Sequence, residues 1–138
     1  MVVTRWLADK SALWKLPQSP DYRDWLNKIN RGQVLLSLPT QLEVAVSARN
    51  ATHWPILRGN LLEPLLTVNA TPRSESVAIE IMDALITANL HRTVPIPDVL
   101  VAAVAVVERL TVLHDDRDFE RIQEVYGAPA SERLRLSR

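Results

Sequence analysis

Short apolar runs separated by longer amphipathic stretches recur along the whole of this 138-residue chain. That alternation constrains the fold most, because strands bury apolar residues in brief runs while helices spread them at a 3.6-residue period. Strands are expected within residues 2–8, 34–38, 65–68 and 111–113. The intervening helices are read as a short one opened by Asp9, one over residues 21–29 stopped at Gly32, and one entered through Pro39 and Thr40 that runs to Ala48. Further helices are expected over 54–62, where Pro64 stops the segment, and over 75–90. Val99 to Val107 is apolar almost all round and should form the most buried helix. A last helix, capped by Asp115 or Asp116 and ended by Gly127, follows the strand at Leu113. The tail is open between two readings, an edge strand through Leu134 and Leu136 or a mobile basic end with Arg133, Arg135 and Arg138.

Strands alternating with helices imply parallel pairing through crossovers. In open sheets of this kind the functional crevice lies beyond the carboxyl ends of the strands. The length fits one compact domain spanning residues 1–138. Apolar residues at 47% and charged residues at 23% match an ordinary globular protein rather than a disordered one. The longest apolar run is about half of what a membrane span requires, and the first ten residues lack a secretory pattern. A cytoplasmic protein with no membrane role is the expectation. With no cysteine, disulfides and thiolate metal sites are excluded. Sixteen basic and sixteen acidic residues cancel, so no global field attracts a polyanion.

The acidic residues carry the chemistry. Asp9 ends the first strand, Glu43 lies one turn into the helix after the second, Asp98 starts the buried helix, and Asp116 with Asp118 follows the strand at Leu113. On parallel strands these acids share one edge of the sheet. Crowded carboxylates need a counter-charge or raised pKa values, and Mg²⁺, or Mn²⁺ in its place, is the hard cation that suits an all-oxygen set. A cation held there could polarise a phosphodiester and orient an attacking water. Each acid alone also has a structural explanation. Asp9 can cap a helix, Thr40-Gln41-Leu42-Glu43 fits a capping box, Asp98 complements a helix dipole, and the acids at 115–118 suit a helix start.

The pattern resembles the PIN-domain ribonucleases of the VapC type, the toxin half of type II toxin–antitoxin pairs. Leu7-Ala8-Asp9-Lys10-Ser11-Ala12-Leu13 is similar to their opening strand and turn. Thr40-Gln41-Leu42-Glu43, followed by Ser47-Ala48-Arg49, is similar to the second acidic motif. Pro97-Asp98-Val99-Leu100 with Ala102-Ala103 is similar to the third, and Asp116-Arg117-Asp118-Phe119 after a short strand to the fourth. The resemblance implies a three-layer α/β/α sandwich around a parallel sheet of four to five strands. It implies Mg²⁺-dependent endoribonuclease activity on RNA, a cognate VapB-like antitoxin and a homodimer. By position, Asp9, Glu43, Asp98 and Asp116 match the catalytic acids, with Asp9, Asp98 and Asp116 as metal ligands and Asp118 and Ser11 as auxiliaries. Lys10 stands where a Thr is common, and Asp115 is an additional acid outside the set.

Among the remaining residues, Trp14 and Trp25 fall on the first two helices, where VapC-like proteins tend to receive the antitoxin, while Trp6 reads as core. Arg49, Arg58, Arg92 and Arg117 are candidates for phosphate contacts. His53, His91 and His114 lack zinc spacing and read as structural or surface residues. No phosphate-binding glycine loop and no serine-hydrolase elbow occurs. Two other functions fit the pattern less well. One is a catalytically silent PIN-like assembly module, which has no need of the acid set. The other is a receiver or phosphatase, which wants a second Asp where Ser11 stands.

Overall fold

A computed structural model describes residues 3–137 of the chain. Five strands, β1 (Trp6–Ala8), β2 (Val34–Leu36), β3 (Leu66–Thr67), β4 (Thr111–His114) and β5 (Ser131–Arg133), form one sheet in the order β3-β2-β1-β4-β5. Every pairing is parallel. Seven helices accompany them among the described residues: α1 (Lys10–Leu13), α2 (Tyr22–Asn30), α3 (Leu38–Val46), α4 (His53–Leu57), α5 (Pro72–Thr87), α6 (Ile96–Glu108) and α7 (Arg117–Tyr126).

The period-two alternation of the strands divides the core into two halves. Leu7, Leu35 and Val112 point to one face, where they pack with Val77, Ile81 and Leu85 of α5, the small-residue face of α6, and Phe119 and Ile122 of α7. Trp6, Ala8, Val34, Leu36 and Leu113 point to the other, against Ala12, Leu13, Trp25, Ile29 and Val44. Helices on both faces produce the expected three layers, and burial of the central strands β1, β2 and β4 on both sides explains why they read as apolar runs, whereas the edge strands β3 and β5 are largely exposed. The most buried helix is α6, in which Val101 through Ala105 are all inaccessible or nearly so. Its Ala and Val residues let it lie close against the sheet.

Several boundaries differ from those expected, each for a local reason. Residue 2 of the first predicted strand lies outside the described residues, and pairing begins at Trp6. The second strand ends at Leu36 because Ser37 becomes the N-cap and Leu38-Pro39 already forms the first helical turn. Helix α5 starts at Pro72, three residues earlier than its apolar periodicity shows, since Thr71 and Ser74 form a reciprocal capping box. The segment expected as one helix over 54–62 is α-helical only to Leu57 and widens into a π-helical turn over Arg58–Leu62. Of the two readings of the tail, the edge strand is the one formed, though over Ser131–Arg133, with Leu134 buried behind it and Arg135 clamped on Asp21 at 2.6 Å. Arg138 lies outside the described residues.

Candidate metal centre

The strand order reverses direction at β1. From there the chain builds outward through β2 and β3, then returns to the other side of β1 with β4, so the crevice at the carboxyl ends opens beside β1 and β4. The register pairs Ala8 with Leu113, and the Asp9 N–H donates to the Leu113 carbonyl at 2.9 Å. The turns leaving β1 and β4 therefore emerge side by side. Asp9 follows the first strand directly and caps α1, its Oδ2 accepting the Ser11 N–H at 3.0 Å and the Ser11 hydroxyl at 2.6 Å. Asp116 caps α7 in the same manner through the Asp118 N–H at 3.0 Å. Capping and participation in the cluster are compatible, because each carboxylate uses one oxygen on the backbone.

Helices supply the other members. Glu43 sits on the second turn of α3, and Asp98, 5% exposed, on the first turn of α6. Oxygens of Asp9, Glu43 and Asp98 lie within 4.8 Å of one another, as do those of Asp98, Asp116 and Asp118. Asp98 belongs to both triads and so stands at the centre of a five-carboxylate group. All four principal acids and the auxiliary Asp118 named from sequence are thus brought together, and Ser11 is bonded to the first of them.

The capping box expected at Thr40 is not formed. Helix α3 begins two residues before Thr40, which places Thr40 inside the helix with its hydroxyl buried and unpartnered. Glu43 is thereby released from any role in starting the helix, which leaves the cluster as the use of its carboxylate.

Three carboxylate oxygens, Asp9 Oδ1, Glu43 Oε1 and Asp98 Oδ2, are buried with no hydrogen-bond partner. Buried acceptors are ordinarily satisfied, and an unmet acceptor on every member of the Asp9–Glu43–Asp98 triad is what a bound cation would complete. Burial raises the Asp9 carboxyl, while the Ser11 hydrogen bonds pull it back down and the charge of Asp116 adds to the rise. Burial and the neighbouring Asp9 raise Glu43, with Lys10 opposing. Burial, then Asp9, Asp116, Asp118 and Glu43 in turn, push Asp98 up to about 8. Asp118 is raised by burial and by Asp116, and lowered by Arg121, whose guanidinium it holds at 2.8 Å. A group that accepts a proton this readily at neutral pH lacks positive charge. The donor set is all oxygen, and its spacing is on the scale of a Mg²⁺ shell with metal–oxygen bonds of about 2.1 Å.

Some participants escaped the sequence reading. Of the structural and surface readings of His114 the structural one is formed, since it is completely buried, but its contact was not foreseen: its Nδ1 accepts the Asp116 N–H at 3.1 Å. Its place at the end of a strand two residues before an acid was the available signal. Arg121 was signalled by its three-residue spacing from Asp118. Asp115 turns away to Lys15 at 2.6 Å and Arg133 at 3.5 Å, consistent with its exclusion. Trp25, a candidate for partner contact, is 3% exposed and packs edge-on to Trp6 at 5.1 Å, so it is core, whereas Trp14 remains half-buried. Arg58 is engaged with Trp54 and Glu63, while Arg49, Arg92 and Arg117 are exposed.

Comparison with known proteins places this arrangement. The PIN domain pattern matches residues 11–125. The chain belongs to the PIN-domain family. Ribonuclease VapC2 of Mycobacterium tuberculosis (strain CDC 1551 / Oshkosh) is 43% identical over 131 residues, which cover 92% of this chain and 91% of that protein. Among solved structures, the DNA-bound VapBC of Salmonella typhimurium superposes with a TM-score of 0.76 at 17% identity, covering 95% of this chain and 98% of that one. VapBC-5 from Mycobacterium tuberculosis, a member of the VapBC family of toxin-antitoxin systems, does so with a TM-score of 0.67 at 19% identity, over 97% and 100%. At those identities the structural likeness speaks to the PIN fold. The family match begins two residues after Asp9, so the first acid of the cluster lies just outside it.

Proposed function

We propose that this PIN-domain protein is a Mg²⁺-dependent endoribonuclease that hydrolyses RNA phosphodiester bonds and serves as the growth-inhibiting toxin of a toxin–antitoxin pair. The observation that carries the reading is the Asp9, Glu43 and Asp98 triad at the carboxyl edge of a parallel sheet, whose carboxylates come within 4.8 Å of one another and each of which has a buried oxygen with no partner. The name of the relative Ribonuclease VapC2, 43% identical over nearly its whole length, points to the same activity.

Asp9, Asp98 and Asp116 would hold the cation, with Glu43 and Asp118 completing the acidic wall. A cation bound there supplies Lewis-acid polarisation of the scissile phosphate and activation of water, which no side chain in the cluster offers by itself. The protein's own contribution is positioning. Ser11 fixes the rotamer of Asp9 through its hydroxyl and backbone N–H, and Arg121 restrains Asp118. Lys10 and Arg117, each next to a member of the cluster in sequence, are the cations placed to receive phosphates entering from solvent.

A VapB-like antitoxin is the proposed partner. A groove of about 270 Å³ between α1, α2 and the segment at Leu61–Leu65, lined by Leu13, Leu16, Tyr22, Leu26 and Ile29, supports an apolar partner segment on that side. A homodimer belongs to the same proposal. Leu38, Leu42 and Val46 form an exposed stripe on α3 that shares one groove with exposed Leu100 of α6, and contiguous apolar surface of this kind marks association sites. Among the described residues no helix is long and apolar enough to cross a membrane, and the proposed place of action is the cytoplasm, where its RNA substrates are.

The test is RNA cleavage by purified Asp9→Asn and Asp98→Asn proteins with and without Mg²⁺. Both should lose metal-dependent cleavage while keeping a cooperative unfolding transition. Undiminished cleavage by both folded variants would overturn the assignment.

A further inference from the structure

We propose that His114 is a positioning residue for the acidic cluster, its buried ring fixing the turn that carries Asp116 and Asp118. This rests on the metal-centre reading above. The ring is fully inaccessible, and it lies 5.4 Å from the Phe119 ring at a tilt of 43°, which leaves it little room to turn. From that fixed place Nδ1 accepts the Asp116 N–H at 3.1 Å. The Asp116 carboxylate in turn accepts the Asp118 N–H at 3.0 Å, so the orientation of both acids follows from the imidazole. The outer side of the same turn is pinned separately, by Ser11 Oγ accepting the Asp115 N–H and by Lys15 on the Asp115 carboxylate.

An Nδ1 that accepts must leave the ring proton on Nε2. That nitrogen is buried and has no partner. A buried donor without an acceptor burdens the fold, and an apolar side chain of similar size would remove the burden. Packing alone therefore gives no reason for a histidine at the end of β4, whereas an acceptor aimed at the Asp116 N–H does. The supporting groups around metal-ligating side chains commonly change metal affinity 10- to 100-fold when removed, and His114 stands in that relation to Asp116.

Three variants separate this role from simple burial. His114→Leu keeps an apolar body and deletes the acceptor. His114→Asn restores one, because an asparagine side chain accepts the N–H two residues ahead in an Asx turn, and His114→Gln places the same amide one bond too far to close that ring. Calorimetric titration with Mn²⁺ should give a Kd about tenfold weaker for Leu and Gln, and for Asn within about threefold of the parent protein. The melting temperature of the Leu variant in chelator should equal or exceed that of the parent. The ¹⁵N spectrum of the parent should show an unprotonated Nδ1. Parent-like Mn²⁺ binding by the Leu or Gln variant, no recovery with Asn, or a proton on Nδ1 would overturn the proposal. Should Leu fail to fold, the Asn and Gln pair decides. Absence of Mn²⁺ binding by the parent protein would instead remove the metal-centre reading, and this proposal with it.

Discussion

Asp98→Asn should make the metal-free protein more stable at alkaline pH while abolishing its activity. The Asp98 carboxyl, ordinarily near 3.8, is pushed up to about 8 by burial and by the surrounding acids. The folded protein thus binds this proton more tightly than the unfolded chain. The resulting contribution is fully present below about pH 4 and is lost as pH rises through about 8. Between about pH 4 and pH 7 the span is roughly three pH units at about 1.4 kcal/mol each, an upper limit of about 4 kcal/mol of stability surrendered by neutrality. Because the shift is shared with four neighbours, the upper limit applies to Asp98 only if the others keep their charges. Asn removes the ionisable group and can donate its amide N–H to the adjoining carboxylates, so the variant should avoid most of that loss.

The assay is thermal unfolding of both proteins in chelator at pH 4, 7 and 9. The two should melt together at pH 4 and separate progressively above it, toward an upper limit at pH 9 of about 6 kcal/mol, or roughly 20 °C in favour of the variant. Added Mn²⁺ should raise the parent protein's melting temperature, as any ligand of the native state does, and leave the variant's nearly unchanged. A variant that melts below the parent at pH 9, or one offset from it equally at every pH, would refute the electrostatic account of the cluster.

Ser11→Ala should cost about 1–2 kcal/mol and lower cleavage, since the hydroxyl both donates to Asp9 and accepts from Asp115; Ser11→Thr, which keeps the hydroxyl, should recover both in paired denaturation and cleavage assays. Trp25→Ala should destabilise by about 3–5 kcal/mol in urea unfolding, because Trp25 is buried against Trp6 and under Lys28; cleavage per folded molecule should not change, and a selective loss of cleavage would contradict its assignment to the core. Gly32→Ala should cost about 1–2 kcal/mol by the same measurement, for Gly32 has φ +71° and a Cβ there would meet Leu66 Cδ1 at 3.0 Å.

The layers of the fold were legible in the sequence because the central strands, covered on both faces, impose short apolar runs, while the polar edge strand at Ser131–Arg133 carries no such signal. Asp9 and Asp116 were legible because the first directly follows such a run and the second comes just past the end of another, and strand ends in a parallel sheet share an edge. Less could be read where two local signals compete. Thr40 and Glu43 have capping-box spacing, yet Ser37 and Pro39 start the helix earlier and the box never forms. Trp25 sits on an amphipathic helix as interface residues do, but its edge-on contact with Trp6 on the same face of the sheet takes it into the core. Periodicity also gave no hint of the π-helical turn at Arg58–Leu62, since one extra residue per turn shifts which side chains face inward without altering their character. His114 was passed over for a related reason. Its place at a strand end two residues before an acid is a faint signal, and its partner is a backbone N–H that carries no sequence signature.

The neutrality of the whole chain gives the acidic cluster its meaning. With sixteen charges of each sign, no long-range field draws RNA in, and five carboxylates at the crevice would repel a phosphate approaching the metal-free protein. The same cluster lowers its own charge by keeping a proton on Asp98 at neutral pH. A divalent cation must displace that proton, since a carboxylate ligates when ionised, and doing so exchanges one positive charge for two at the point where a scissile phosphate would arrive. Metal occupancy would thereby set both chemistry and substrate attraction. Lys10 and Arg117, beside Asp9 and Asp116, would then act on a phosphate already held rather than recruit it from a distance.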